Sequence, residues 1–154
     1  MACKINTRSI EGGIHLQTIS PRVRIGRIIF FVFAIIFALS VATQFLLAGM
    51  AIFISPVNWM KHVTFVHLFG FNVPIFMLVS AWIGALPLWT YLQILGIFAL
   101  MFLMYFSANI TAVLPWFGAM HPVFGLLLLA LSCMMKWNVW KLTFGNKYKQ
   151  QGEG

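Results

Sequence analysis

Residues 28–54 read IIFFVFAIIFALSVATQFLLAGMAIFI, with no charged side chain in the whole stretch. A helix needs about 20 apolar residues to cross the hydrocarbon of a bilayer, so this segment is long enough to span it. Pro56 closes it. Three further apolar stretches follow, at roughly 62–86, 87–112 and 116–137. Pro74 is expected to bend the second, because its ring removes a helical hydrogen bond. Pro87 opens the third at a position where proline is tolerated. Pro122 leaves the start of the fourth open between Trp116 and a helix capped by His121. The expected fold class is all-α: an integral membrane, up-down four-helix bundle over residues 28–142. A basic tail (1–27) precedes it and a polar tail (143–154) follows.

Composition carries the same message for the whole chain. Hydrophobic residues make up 62% of the 154 and charged residues 8%, where a soluble domain has about a quarter charged. The only carboxylates are Glu11 and Glu153, one near each terminus. Paired-carboxylate catalysis, EF-hand calcium sites and carboxylate-held magnesium are therefore excluded. Two or three histidines without carboxylates fall short of a zinc site. Ser40, Ser80, Ser107 and Ser132 sit on different spans with no base beside them, and no phosphate-binding glycine loop is present, so hydrolase or transferase chemistry has no support. Cys3 and Cys133 make neither a metal spacing nor an expected disulfide. Cys3 stands where acylation is possible, with only its position to suggest it.

The net charge of +8 does not indicate nucleic acid, because the charges lack a folded polar surface to sit on. Lys4, Arg8, Arg22, Arg24 and Arg27 precede the first span, and Lys136, Lys141, Lys147 and Lys149 lie at or after the end of the last. Lys61 alone falls between. Basic ends flanking apolar spans are expected on the cytoplasmic side, so both termini are placed there, against anionic lipid. An even number of spans agrees. Trp59 and Trp116 then mark the outer interface, and Trp82, Trp89, Trp137 and Trp140 the inner one. The expected location is a bacterial plasma membrane, crossed several times.

Polar groups inside hydrocarbon are costly, which makes the few present informative. His67 and His121 come about 7–12 Å below the outer interface, counting 1.5 Å per residue from Trp59 and Trp116. They lie on spans two and four, the diagonal partners of an up-down bundle. Two imidazoles at similar depth across a core are what a haem with two histidine ligands requires. Gly70 and Gly125, each one turn below a histidine, leave room for a flat macrocycle. Asn109 is placed to hydrogen-bond a histidine Nδ1–H or a propionate, fixing a tautomer. Gln44, in mid-span one, serves either as a bond between helices or as a hold on a quinone carbonyl. His62 reads as interfacial and as a second-choice ligand, since five residues separate it from His67 and the two do not share a helical face. Met50 and Met120 keep His/Met ligation open, although methionine is commonly a gap-filler. The competing account is structural: histidines near helix starts cap backbone or bond across helices, and glycines serve close packing.

The runs Arg22-Val-Arg-Ile-Gly-Arg-Ile-Ile-Phe, Gln44-Phe-Leu-Leu-Ala-Gly, Phe65-Val-His-Leu-Phe-Gly and Met120-His-Pro-Val resemble a family of small bacterial four-span proteins of unknown function, over residues 22 to about 140. The resemblance implies the fold. The chain also resembles one four-helix half of haem A synthase, with Gln44, Gly49, His67 and His121 in matching places and Leu92-Gln93-Ile-Leu-Gly96 like the opening of its third span. Only one such half is present, and a counterpart of the acidic catalytic residue is missing. The second resemblance therefore implies a haem b site and no synthase activity.

The expected function is a small cytochrome-like membrane protein with haem b between His67 and His121, exchanging electrons with a quinone or a membrane oxidoreductase. The alternative is a non-catalytic subunit or interaction module with structural histidines. A transporter would need a polar path through the inner half, which is nearly pure Leu, Ile, Phe, Ala and Met.

Overall fold

A computed structural model describes residues 20–145. All the regular structure among them is helical: α1 (Pro21–Phe53), α2 (Asn58–Phe69), α3 (Asn72–Ile83), α4 (Leu88–Ile110), α5 (Pro115–Ala119) and α6 (His121–Phe144). Four segments are long and apolar enough to cross a membrane: α1, the α2–α3 pair, α4, and the α5–α6 pair. α1 packs on the second segment and on α6, and α4 closes the ring against α3 and α6. Segments two and four are thus diagonal, as the sequence led us to expect.

The ends of the helices are longer than the apolar stretches alone suggest. Ser20 caps α1, its Oγ accepting from Val23 N at 3.4 Å, and Pro21 occupies the first turn. A serine cap followed by proline is a strong start signal, because both leave the unpaired first-turn amides satisfied or absent. Arg22, Arg24 and Arg27 are consequently helical and not part of a tail. At the other end α6 runs on through Trp140 to Phe144. Cys3, Lys4, Arg8, Lys147, Lys149 and both carboxylates lie outside the described residues.

Prolines set the breaks. The second segment is interrupted at Gly70–Phe71, one turn before Pro74. Pro74 has no N–H to give to the carbonyl four residues back, which is that of Gly70, and its ring crowds that carbonyl. The helical ladder resumes with Ile75 N donating to Phe71 O at 3.2 Å. In the fourth segment Pro122 stands in the first turn of α6, and Met120 separates α5 from α6. His121 is therefore the first residue of α6 and not its cap.

The molecule is sorted for a lipid solvent. Phe30, Phe37, Met77, Ile94, Ile97 and Met135 fill the core, yet Leu46, Ile52, Leu92, Leu95 and Phe102 are exposed. Ser40, Ser80, Thr90, Ser107 and Ser132 are buried instead. Small hydroxyl residues at helix contacts let backbones approach, and most of these return their hydrogen bond to their own helix. Examples are Ser40 Oγ to Ile36 O at 2.8 Å and Ser132 Oγ to Leu128 O at 2.6 Å.

The tightest helix crossing is between Gly26 of α1 and Gly84 at the end of α3. A Cβ on Gly26 would lie 2.7 Å from Gly84 Cα, and one on Gly84 would lie 2.9 Å from Arg27 N. Arg27 Nε donates to Gly84 O at 3.0 Å, so an otherwise unpaired helix-end carbonyl is met by a cation. The turn that follows puts Ala85 at φ 43, a left-handed conformation that a methyl side chain disfavours.

Three outcomes follow for the purified protein in detergent. Gly26→Leu should lower the melting midpoint, with a loss of about 1–3 kcal/mol from overpacking. The same change at Gly49, where nothing lies within 4 Å of an added Cβ, should be nearly silent. Ala85→Gly should raise stability by about 1 kcal/mol by relieving the left-handed residue.

Candidate functional site

Four helices contribute one stripe each to a cleft in the half of the bundle away from Gly26. On α1 the stripe is Phe37, Ser40, Val41, Gln44, Phe45 and Ala48; on α2 it is His62, Phe65, Val66 and Phe69, continued by Gly70 just after the helix. Both follow the spacing of a single helical face. α4 adds Met101 and Met104, and α6 adds His121, Pro122, Gly125 and Leu128. The cleft measures about 110 Å³, or about 680 Å³ of empty space with its open mouth counted. Phe45 and Pro122 line it and are themselves exposed, which sets the mouth between α1 and α6 on the flank of the bundle.

Two imidazoles line this cleft, and they are His62 and His121. The His67 ring is on the exposed face of α2, 5.8 Å from the ring of Tyr105, and takes no part. The expected pairing of His67 with His121 is thus corrected by helix geometry. Five residues turn the helix by roughly 500°, so with His62 on the inner stripe His67 must face elsewhere. Asn109 is also corrected. It is exposed, and its Nδ2 donates to Tyr105 O of its own helix at 2.8 Å, away from both imidazoles.

Each cleft histidine is held the same way. His62 Nδ1 lies 3.3 Å from Gln44 O, and His121 Nδ1 lies 3.0 Å from Met104 O. A carbonyl oxygen only accepts, so in both rings Nδ1 carries the proton and donates it. Nε2 is left with its lone pair and, among the described residues, with no hydrogen-bond partner. Ser107 supports His121: its Oγ is 3.0 Å from His121 Nδ1 and donates to Met104 O at 3.0 Å. Gln44 returns the bond from α2, its Nε2 donating to His62 O at 3.2 Å. Its Oε1 is buried with no partner.

The two glycines are where the sequence led us to look. Gly70 and Gly125 are buried, and both border the cleft. A Cβ on Gly70 would come within 2.6 Å of Met101 Cε, and one on Gly125 within 3.1 Å of Phe45 Cζ. Met50 and Met120 do not line the cleft, whereas Met101 and Met104 do. Among the described residues no group of three or more His, Cys, Asp and Glu side chains comes together.

Residues 44–112 match the model of a family of unknown function, DUF6220. The match agrees with the resemblance read from the sequence, and covers somewhat under half the chain. It includes Gln44, His62, Gly70 and Ser107 and ends before His121. No curated protein and no solved structure matches the chain.

Sequence reasoning ranked His62 only as a second-choice ligand, and read Ser107 as having no base beside it where the fold brings His121 to it. The spacing of His62, Phe65, Val66, Phe69 and Gly70 was the available signal for the first. For Ser107 there was none, since its role depends on α5 turning the chain back so that His121 meets α4.

The tautomers are directly testable. In protein carrying ¹⁵N-labelled histidine, His62 and His121 should both show a protonated Nδ1 and an unprotonated Nε2 at neutral pH. A protonated Nε2 on either would contradict the bonding described. Ser107→Ala should leave the His121 tautomer intact and cost about 1 kcal/mol for the lost hydrogen bond.

Proposed function

We propose that the cleft is a haem b site, which His62 and His121 would hold, and that the protein passes electrons to or from a quinone or a membrane oxidoreductase. What supports this reading is that His62 and His121 line one apolar cleft, each with its Nδ1–H on a backbone carbonyl and its Nε2 without a hydrogen-bond partner among the described residues. A metal-binding histidine almost always has its second nitrogen anchored in this way, which orients the ring and raises the basicity of the ligand.

The other residues fit such a group. Gly70 and Gly125 keep backbone close to the cleft, and a side chain at either place would take up room. Phe37, Phe65 and Leu128 line it with apolar surface, suited to the body of a macrocycle. The unpartnered Gln44 Oε1 accepts a hydrogen bond from whatever donor the occupant brings. The closed part of the cleft is smaller than a haem, so the open mouth toward lipid has to contribute. Haem bound here would supply one-electron chemistry. The chain's part is to hold the two imidazoles, exclude water, and open on the flank where a lipid-soluble partner diffuses. In this arrangement both termini are cytoplasmic and the cleft is near the outer face.

One observation favours the structural alternative, a non-catalytic membrane module. The same Nδ1 bonds tie α1 to α2 and α4 to α6, so the histidines already link helices without an occupant. Absorption spectra separate the two readings. Protein purified from cells supplied with haem should show a Soret band and a sharp α band on dithionite reduction. His62→Ala and His121→Ala should each lose at least most of the colour, while His67→Ala keeps it. Colourless, monodisperse wild-type protein would reject the haem reading in favour of the module.

A further inference from the structure

We infer that the groove between α1 and α6 at the basic end is a binding site for one anionic phospholipid, its phosphate on Lys136 and an acyl chain along α1. The groove is separate from the histidine cleft. Phe31, Ile35, Ala38 and Leu39 of α1 form one wall, in the spacing of a single helical face, and Lys136, Trp137 and Trp140 of α6 form the other. It measures about 350 Å³, or about 690 Å³ with its open side counted. Ala38 is the small residue that gives the groove its depth.

Charge decides the occupant. Lys136 is half-buried in this groove. It stands one residue before Trp137 and four before Trp140, so at most roughly 6 Å below the aromatic rim. A half-buried ammonium at that level is favoured by an anion at the interface. Glu11 and Glu153 lie outside the described residues, so no carboxylate is present among those described to serve as its counter-ion. Lys141, five residues on, lines a separate hollow with Trp89 and Asn138 and rests its Nζ 5.1 Å over the ring of Trp137, so it adds to the charge of this end without entering the groove. Arg27 anchors the same end of the bundle. At the rim, Trp140 packs on Phe31 at 5.3 Å and on Phe144 at 4.6 Å between ring centroids, a rigid aromatic edge at headgroup level. A phosphate therefore finds one lysine flanked by two indole rings, and its acyl chain continues along a purely apolar wall. A zwitterionic lipid would bring its own cation to the same place.

The test is native mass spectrometry of the full chain, delipidated in detergent and titrated with phosphatidylglycerol or phosphatidylcholine of matched acyl chains. One phosphatidylglycerol should be retained in preference by about five-fold, the effect of a single lysine near an anionic headgroup. Lys136→Gln should abolish the preference and Lys136→Arg should keep it. Leu39→Trp, a change at an exposed position that narrows the groove, should reduce phosphatidylglycerol uptake with Lys136 intact. Equal retention of the two lipids by the wild-type protein overturns the inference. So does an unchanged preference in Lys136→Gln, or an unchanged phosphatidylglycerol uptake in Leu39→Trp.

Discussion

Hydrocarbon offers no hydrogen-bond partners, and almost every polar arrangement in this protein follows from that. Backbone groups are satisfied within helices. Most polar side chains turn back on a carbonyl of their own helix: Ser40, Thr43, Ser80, Asn109 and Ser132 all do so, and Asn72 at the start of α3 bonds Leu68 O across the break from α2. The bonds that reach another helix or its end are few. Arg27 meets Gly84 at the basic end, and Asn58 meets Met50 in the turn between the first two spans. The remainder belong to Gln44, His62, Ser107 and His121.

Those four residues make two staples, one between α1 and α2 and one between α4 and α6. Each staple consumes one imidazole nitrogen and leaves the other without a hydrogen-bond partner among the described residues, on a ring that lines the cleft. The bundle is therefore pinned at the same level by the groups that give the cleft its chemistry, and the two roles use different atoms of one ring. Gly70 and Gly125 complete the arrangement by keeping backbone near the cleft without a side chain to fill it.

The four spans were legible because length and apolarity alone decide them. Their diagonal order was legible too, since short connections force consecutive helices to be neighbours. Depth was read from Trp59 and Trp116, and it favoured His67 over His62, which it left at the interface. Orientation around the helix is what separates them, and it becomes clear only when Phe65, Val66, Phe69 and Gly70 are read as one stripe. Gln44, Gly70, Gly125 and His121 do line the cleft. Asn109 does not, because a carbonyl of its own helix is a nearer partner than any imidazole. The helix start at Pro21 was written in Ser20-Pro21, but the charges that follow resemble a tail when hydropathy is the only guide.

Arg22, Arg24, Arg27, Lys136 and Lys141 gather at one end of the described bundle, Lys61 is alone at the other, and no anionic side chain is present among the described residues to offset them. The molecule is therefore strongly polarised along its axis. Carrying one charge through a transmembrane voltage of 100 mV takes about 2.3 kcal/mol, so inverting the bundle, a net transfer of four charges, takes roughly 9 kcal/mol of electrical work at that voltage. For these described charges a voltage favours the orientation that puts the five-charge end on its negative side, and that bias is stronger in an energised membrane than in a resting vesicle.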